Sequence, residues 1–461
     1  MELSTICAIS TAGGIGGIAV IRISGENAIK NTDKIFFAIA KNKNLLNAKS
    51  NTIIFGKIKN SKNEIIDEVL VCIFRAPHSY TGEDTVEISC HGSTYIQQQI
   101  LKLLIENGCT LAQAGEFTQR AFLNGKMDLS QAEAVADLIN STSQAAHKVA
   151  INQMRGKFLN ELQNIRKKLV DFTSLIELEL DFNEEDVEFA DRKELGEFAQ
   201  NIEKYIAKLC KSFEVGNVIK NGIPVAIVGE TNVGKSTLLN ILLNEERAIV
   251  SEIHGTTRDA IEDTTNIGGI IFRFIDTAGI RKTNDKIENI GIERTYSKIE
   301  QAAIVLWIID ATQPVQNAEN MKNEMIERCK NKKMIIVYNK TDKNKYAETL
   351  NISSDAGIKQ VNISAKEKLN IDALQNILLE IAQIPEIGSN DVIVTNMRHF
   401  EALQNAYSAI VRVQNGLQQN IPHDLLAQDI RDCIFHIGTI TGNITTDEIL
   451  GNIFSKFCIG K

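Results

Sequence analysis

The feature that most constrains this chain of 461 residues is the glycine-rich segment at 229–236, which reads GETNVGKS. An apolar run at 223–228 precedes it, and a leucine-rich run at 237–242 follows it. This order predicts a strand, a phosphate-binding loop and a helix, because loop N–H groups and a helix N-terminus together bind an anionic phosphate. We expect Lys235 to reach the β- and γ-phosphates and the Ser236 hydroxyl to bind Mg²⁺.

Further segments follow strand-like runs in the order that is typical of GTPases. They are Asp276–Gly279, Asn339–Asp342 and Ser364–Lys366. The Asp342 carboxylate can accept hydrogen bonds from the ring N–H and the amine of guanine, whereas adenine would leave it unpaired. Thr257, upstream of these segments, is a candidate second hydroxyl ligand for Mg²⁺. The pattern predicts a Ras-like GTPase domain with a mostly parallel sheet.

The residue after Gly279 is Ile280, whereas Ras-like switches have a glutamine there that orients the attacking water. Isoleucine cannot form that hydrogen bond, so another group has to position water and neutralise the developing charge. The charged candidates nearby are Arg258, Arg281, Glu288 and Arg294. Asn232, in the loop itself, is a further candidate because its amide oxygen can bind a monovalent cation.

Composition restricts the kind of protein. The chain is 43% hydrophobic and 23% charged, and no apolar run is long enough to span a bilayer. No Lys or Arg precedes its first apolar stretch, which argues against a secretory or transit peptide. Eight Cys without a Cys-x-x-Cys pair indicate reduced thiols, so we predict a cytoplasmic location. The net charge of −8 argues against a strong nucleic-acid binder, although residues 148–168 are basic.

The length predicts about three domains. Apolar residues recur at helical spacing from 129 to 213 and again from 397 to 457, with the GTPase segments between them. The first part of the chain combines a predicted helix at 94–106 with predicted short strands at 18–23, 52–59, 70–74 and 85–89. We therefore predict a multidomain α/β protein: an α+β domain at 1–118, and a helical domain at 119–216 and 383–461 that is split by a GTPase domain inserted at 217–382.

Five stretches make a more specific pattern. They are GGIAVIRISG at 16–25, SYTGED at 79–84, GEFTQRAFLNGK at 115–126, QAEAVADLI at 131–139 and FCIGK at 457–461. With the GTPase segments, they make the chain resemble the MnmE (TrmE) family of bacterial tRNA-modification GTPases over essentially its full length.

The resemblance implies a dimer formed by the N-terminal domains, with a tetrahydrofolate site in each. It implies a flavoprotein partner, MnmG, with which family members install an aminomethyl or carboxymethylaminomethyl group on carbon 5 of the wobble uridine of certain tRNAs. The one-carbon unit comes from a 5-formyl or methylene folate, and the nitrogen from ammonium or glycine. The resemblance further implies that GTP hydrolysis, with two GTPase domains meeting around potassium, is required for the modification.

Carried over by position, the resemblance also implies site residues. Those for folate are Arg22, Glu87, Lys126 and Lys461. Those for the nucleotide are Asn232, Val233, Gly234, Lys235, Ser236, Thr237, Ser251, Thr256, Thr257, Asp276, Thr277, Ala278, Gly279, Asn339, Lys340, Asp342, Ser364 and Ala365. Potassium would be bound by Asn232, Ser251, Ile253 and Thr256, and Mg²⁺ by Ser236 and Thr257, while Glu288 would orient the attacking water.

Cys458 lies four residues from the end of the sequence, between Lys456 and Lys461. A lone Cys is normally a small buried hydrophobe. Nearby cations favour the thiolate, however, so we hypothesise that Cys458 is reactive. Its thiolate could add to carbon 6 of uracil and activate carbon 5, or it could handle the folate-derived carbon.

An alternative is an RNA-binding regulatory or ribosome-assembly GTPase without modification chemistry. Such a protein would have no use for Arg22, Glu87 and Lys126 beside a terminal Cys. Those residues favour the modifying enzyme. A scaffold with a degenerate nucleotide site is disfavoured because Lys235 and Asp342 are intact.

Overall fold

The computed structural model describes residues 4–40, 44–181, 192–244, 263–275, 299–313, 323, 325–330, 332–343, 358–382, 391–419, 421–455 and 457–460. The chain divides into two compact units. One unit comprises residues 1–136, 153–202 and 405–461, and the other comprises residues 137–152 and 203–404.

The N-terminal part of the first unit is a seven-stranded sheet with three helices. Its strand order is β3-β4-β5-β6-β2-β1-β7, and all neighbours are antiparallel except the pair β1–β7. The elements are β1 (Ile6–Ile9), β2 (Gly16–Ser24), α1 (Ala28–Asp33), β3 (Phe36–Ala38), β4 (Thr52–Lys59), β5 (Ile65–Phe74), β6 (Thr85–Gly92), α2 (Thr94–Glu106), β7 (Thr110–Leu111) and α3 (Glu116–Leu123).

Alternation along the strands creates one buried face of this sheet. Val69, Val71 and Ile73 of β5 are buried in a core that also takes Leu104 of α2, whereas Leu70 between them is exposed. This period of two residues is what a sheet with one covered face requires. The predicted α+β character of this region is therefore confirmed.

β5 and β6 extend beyond the sequence prediction, which limited them to 70–74 and 85–89. The reason is a buried polar contact that the apolar pattern does not reveal. Asp67 of β5 accepts hydrogen bonds from the backbone N–H of His91 at 2.8 Å and of Glu68 at 2.9 Å. It also contacts His91 Nδ1 at 2.7 Å. The polar ends of the two strands thus pair with each other.

Helices follow, as the helical spacing of apolar residues from 129 to 213 predicts. They are α4 (Leu129–Ile139), α5 (Gln144–Met154), α6 (Lys157–Asp181) and α7 (Arg192–Asn221). On α6, Phe158, Leu162, Ile165, Leu169 and Phe172 are buried, at the spacing of one helix face.

The second unit contains a six-stranded sheet of order β13-β12-β11-β8-β10-β9, which is parallel except for β9. Its elements are β8 (Ile223–Val228), α8 (Lys235–Asn244), β9 (Asp263–Ile267), β10 (Ile270–Phe274), β11 (Ile304–Asp310), β12 (Lys333–Asn339), a 3₁₀-helix (Thr341–Lys343), β13 (Lys359–Asn362) and α9 (Ile371–Ala382). Val225 and Ile227 of β8 lie in one core, and Ala226 and Val228 lie in another. β8 is apolar throughout because both of its faces are covered.

Three further helices are α10 (Met397–Gln418), α11 (His423–Thr441) and α12 (Asp447–Phe454). Pro422 immediately precedes α11, at a position where its missing N–H costs no helical hydrogen bond. α11 packs along α6. The predicted class, multidomain α/β with helical segments and a mostly parallel sheet, is confirmed.

The predicted domain limits at 118 and 216 fall inside α3 and α7, so the domain boundaries stay a prediction. Within the described residues, no helix has the length and apolar composition needed to cross a membrane.

Candidate functional site

The glycine-rich segment connects β8 to α8, as the sequence predicts. β8 ends at Val228 and α8 begins at Lys235. Gly234 has φ of +100°, and a Cβ placed there would collide with the side-chain amide of Asn339. Asn232 is also left-handed, with φ of +62°, and is exposed. Left-handed residues in such a loop turn successive N–H groups toward one point, which is the geometry of an anion-binding nest.

Lys235 folds back over this loop. Its Nζ donates to the carbonyl oxygens of Gly229 at 2.7 Å and Glu230 at 2.5 Å. Ser236 follows in the first turn of α8, where unpaired helix N–H groups favour an anion. The ammonium group is thus held against the loop that is expected to bind phosphate.

Asn339, the last residue of β12, connects this loop to a second one. Its side chain is 2% exposed. Its Nδ2 donates to the carbonyl of Val233 at 2.7 Å, and its Oδ1 accepts from the N–H of Ala365 at 2.9 Å. One buried amide therefore fixes the phosphate loop relative to the Ser364–Lys366 segment.

Asp342 lies in the 3₁₀-helix after β12 and is exposed. One of its carboxylate oxygens accepts a hydrogen bond from the Ser364 hydroxyl at 2.6 Å. The neighbouring Thr341 hydroxyl donates to the carbonyl of Ile363 at 2.9 Å. The structure therefore brings together the residues that the sequence assigns to guanine recognition.

The sequence did not predict an ion pair beside this site, in which the carboxylate is buried and the ammonium is half-buried. Asp310, the last residue of β11, contacts the ammonium of Lys340 at 2.6 Å. Burial alone would raise the pKa of Asp310, but hydrogen bonds from Lys340 and Thr312 outweigh it and hold that pKa below its ordinary value. The sequence did offer one signal for a functional role of Asp310, because it ends an apolar run as Asn339 does.

All these residues lie at the carboxyl ends of parallel strands β8, β11, β12 and β13. Parallel α/β sheets bind ligands at that edge. Several predicted residues lie outside the described part of the chain. They are Ser251, Ile253, Thr256, Thr257, Asp276, Thr277, Ala278, Gly279, Glu288 and Lys461, together with Ile280 and the candidate charges Arg258, Arg281 and Arg294.

A second constellation lies on the N-terminal sheet. Arg22 of β2 stands directly opposite Glu87 of β6. Both Nε and one terminal nitrogen of Arg22 contact the same Glu87 oxygen, at 2.9 Å and 2.8 Å. Their side chains are 18% and 26% exposed, so the pair is open to solvent on one side. The structure thus brings together two predicted folate residues that are far apart in sequence.

Two aromatic rings lie close to the arginine of this pair. The Arg22 guanidinium carbon lies 5.3 Å from the centroid of the Tyr80 ring and 5.8 Å from that of Phe117. The Tyr80 hydroxyl is hydrogen-bonded to the Thr118 hydroxyl at 2.9 Å. Burial raises the pKa of Tyr80 despite the opposing effects of Thr118 and Arg22. Neither ring was assigned to the site from sequence, although both lie in the stretches that carry the resemblance.

A buried arginine holds the segments that carry these rings. Arg120 is 2% exposed and contacts Glu83 at 3.2 Å and Glu116 at 2.8 Å. It also donates to the carbonyl of Ser4 at 2.8 Å. Glu83 accepts from the Ser24 hydroxyl at 2.7 Å. This network connects the loop at 75–84 between β5 and β6, here called the Tyr80 loop, to α3 and to the end of β2.

Lys126 contacts the Tyr80 loop. Its ammonium donates to the carbonyl of Pro77 at 2.9 Å. Nearby, the Asn124 side chain donates to the carbonyl of Thr81 at 2.8 Å. Lys126 is therefore attached to the loop that carries Tyr80.

The C-terminal segment packs on the same domain. Phe457 is buried against Leu129 and Phe454, and Cys458, the next residue, is exposed. The carbonyl of Cys458 accepts from the N–H of Gly115 at 3.4 Å, two residues before Phe117. The Ser10 hydroxyl donates to the carbonyl of Gly460 at 3.1 Å. Cys458 is thus presented to solvent from a fixed backbone.

The fold and the edge of the parallel sheet define a phosphate-loop protein of the GTPase class. Two family descriptions match the chain: "GTP-binding protein TrmE N-terminus" at residues 5–126 and "MnmE helical domain" at residues 129–458. A "tRNA modification GTPase MnmE" of Bacteroides fragilis is 59% identical over 467 residues, covering 100% of both chains. That of Flavobacterium psychrophilum is 55% identical over 461 residues, covering 99% of both. The chain belongs to the MnmE family, which confirms the predicted resemblance.

Among solved structures, Era of Aquifex aeolicus is 29% identical, with a TM-score of 0.26, over 40% of this chain and 66% of its own. Family membership rests on the full-length relatives, and it confirms that the protein is a GTP hydrolase.

Proposed function

We propose that this GTPase modifies carbon 5 of the wobble uridine of certain tRNAs, with a flavoprotein partner and a folate one-carbon unit. The GTPase activity in this proposal is supported by the buried side chain of Asn339, which holds the phosphate loop and the Ser364–Lys366 segment in one arrangement. The tRNA half is supported by full-length relatives named tRNA modification GTPases.

GTP binding would use side chains that are already held in place by hydrogen bonds within the domain. Lys235 would exchange the carbonyls of Gly229 and Glu230 for oxygens of the β- and γ-phosphates. The carboxylate of Asp342 would accept hydrogen bonds from guanine beside Ser364.

The side-chain oxygens at and near the phosphate loop are suitable ligands for two cations. The Ser236 hydroxyl, in the first turn of α8, is a hard oxygen suited to Mg²⁺, and Thr257 would supply a second hydroxyl. The exposed Asn232 amide fits potassium, with Ser251, Ile253 and Thr256 as further ligands. Such ions stabilise negative charge as the phosphate bond breaks. Glu288 would orient the attacking water, the role left open by Ile280.

The pair on the N-terminal sheet fits a folate. Glu87 offers a carboxylate to an amidine-like pterin edge, and Arg22 orients that carboxylate. Tyr80 and Phe117 add flat apolar surface beside it. Lys126, with Lys461, would attract the glutamate tail. A bound tetrahydrofolate derivative would supply the one-carbon unit.

Cys458 is the proposed reactive group on the C-terminal segment. Its exposure leaves the thiol accessible to a tRNA base, while the buried neighbour Phe457 and the contact with Gly115 fix the backbone. We assign it the attack on carbon 6 of uracil or the handling of the folate-derived carbon.

The proposal includes a homodimer formed by the N-terminal domains. Ile53, Phe55 and Leu70 are exposed on neighbouring strands β4 and β5, and Phe55 stands opposite Leu70. An apolar sheet face of this kind is suited to a protein contact. The other proposed partners are the flavoprotein MnmG and tRNA, and the proposed location is the cytoplasm.

Mass spectrometry of wobble nucleosides in cells lacking the protein tests the function. We expect the carbon-5 modification to disappear and to return with the wild-type chain. It should not return with Lys235→Ala, which removes the phosphate ligand, or with Glu87→Gln, which removes the folate carboxylate.

Unchanged wobble nucleosides would favour the alternative of a regulatory or ribosome-assembly GTPase. If the modification is lost in these cells and the Glu87→Gln chain restores it fully, the protein is a modifying enzyme but the proposed folate site is wrong.

A further inference from the structure

The ion pair of Asp310 and Lys340 lies at the carboxyl edge of the parallel sheet, where the Asn339–Asp342 and Ser364–Lys366 segments also lie. Asp310 is 8% exposed and stands opposite Asn339 in the register of β11 and β12. One carboxylate oxygen contacts Lys340 Nζ at 2.6 Å. The other accepts from the N–H of Thr312 at 3.0 Å and from its hydroxyl at 2.7 Å. The two hydrogen bonds from Thr312 therefore orient the carboxylate independently of Lys340.

Lys340 occupies an unusual backbone position. Its φ of +67° is left-handed, which is disfavoured for a residue with a Cβ. The next residue, Thr341, donates its N–H to the carbonyl of Ile363 at 3.2 Å, and Lys343 donates its N–H to the carbonyl of Lys340 at 3.1 Å. The segment between Asn339 and Asp342 is thus held in a tight turn, and Asp310 fixes the one long side chain in it.

We propose that Asp310 is a positioning residue for guanine recognition, which acts by holding Lys340 and with it the Asn339–Asp342 turn. Its effect is on the affinity for guanine nucleotides and not on the hydrolytic step. The inference rests on the proposed role of Asp342 as the carboxylate that reads the base. Preorganisation is the physical reason, because a turn already in its binding conformation loses less conformational freedom when the nucleotide arrives.

The test uses the full-length protein, with affinity for GDP measured by calorimetry and turnover of GTP measured at saturation. Asp310→Asn keeps the shape and the Thr312 contacts but removes the charge. We expect its Kd for GDP to rise about tenfold. We expect kcat to change by less than about twofold, because the hydrolytic groups are untouched.

The matched control is Glu380→Gln. Glu380 forms an ion pair of 2.8 Å with Lys359, at the other end of β13 from Ser364. Its loss should leave both Kd and kcat unchanged. An equal loss of affinity in this variant would mean that removal of any ion pair of the domain weakens binding, and would overturn the proposal.

A double-mutant cycle separates positioning from general destabilisation. In a Lys340→Met background, Asp310→Asn should add little further loss of affinity, because its partner is already gone. Additive losses, or a fall in kcat without a change in Kd, would overturn the inference.

Asp342→Asn tests the underlying base site independently. Xanthine has a carbonyl where guanine has an amine, so this variant should shift preference from GDP toward xanthosine diphosphate. If that shift occurs and Asp310→Asn leaves Kd unchanged, only the positioning role is wrong. If it does not occur, the base site itself is wrong.

Discussion

Asn339 and Arg120 are single buried side chains, each of which joins segments that are distant in sequence. Asn339 joins Val233 to Ala365. Arg120 joins Glu83, Glu116 and Ser4. A buried polar group costs free energy unless it is hydrogen-bonded, so each of these side chains stabilises only one arrangement of its partners. At the residue scale, the hydrogen bonds of these two buried side chains maintain the geometry of the proposed nucleotide and folate sites.

Asn232 carries the prediction that belongs to this scale. Asn232→Ala should abolish the advantage of potassium over sodium in GTP hydrolysis, because the exposed amide oxygen is the proposed ligand of the ion. The loss in potassium should be on the order of a hundredfold, as for removal of one electrostatic contact to a transition state. Steady-state rates in the two salts measure it.

Asn240→Ala is the control, since it removes an exposed amide from helix α8, which follows the loop. It should keep the potassium advantage. Equal wild-type rates in both salts would contradict the assignment of a potassium site.

At the scale of elements, the end of α12 and the C-terminal segment pack on the start of α3. Ala114 forms an isolated bridge with Ile459. Gly115 has φ of +68°, and a Cβ placed there would lie 2.7 Å from the carbonyl oxygen of Phe454. The close approach of these elements therefore depends on the glycine, and the position of Cys458 depends on that approach.

Gly115→Ala tests this packing. Gly125 has the same φ of +68°, with nothing within 4 Å of an added Cβ, so Gly125→Ala reports the backbone strain alone. That strain should cost about 1–2 kcal/mol of unfolding free energy. Gly115→Ala should cost about 1–3 kcal/mol more, because Phe454 has to move. Urea unfolding measures both variants, and equal losses would show that the contact with Phe454 contributes nothing.

At the scale of the whole molecule, the proposed dimer accounts for an exposed apolar face. Phe55 is 46% exposed and Leu70 is 45% exposed, on adjacent strands. Replacing both with Glu should give a monomer by light scattering, because two charges would have to be buried in the interface. Phe435, 49% exposed on α11, is the control, and Phe435→Glu should leave the mass unchanged. A double variant that stays dimeric would place the interface elsewhere.

Local patterns predicted much of the fold correctly. The helix at 94–106 and the strand at 223–228 have the predicted limits, because period and flanking residues decide them. β5 was predicted too short because its polar start is paired only in the tertiary structure, through Asp67 and His91. Asp310 and Tyr80 were missed for the same reason, since their roles depend on partners far along the chain.

The sequence by itself determined the family, the GTPase class and the phosphate loop, because these depend on residue types at short, fixed spacings. Only the tertiary structure decided which side chains meet. It placed Arg22 against Glu87 and close to two rings, Asp310 against Lys340, and the Cys458 segment against Gly115. Such contacts arise from strand register and from the packing of distant elements, which bring residues together without leaving a local pattern in the chain.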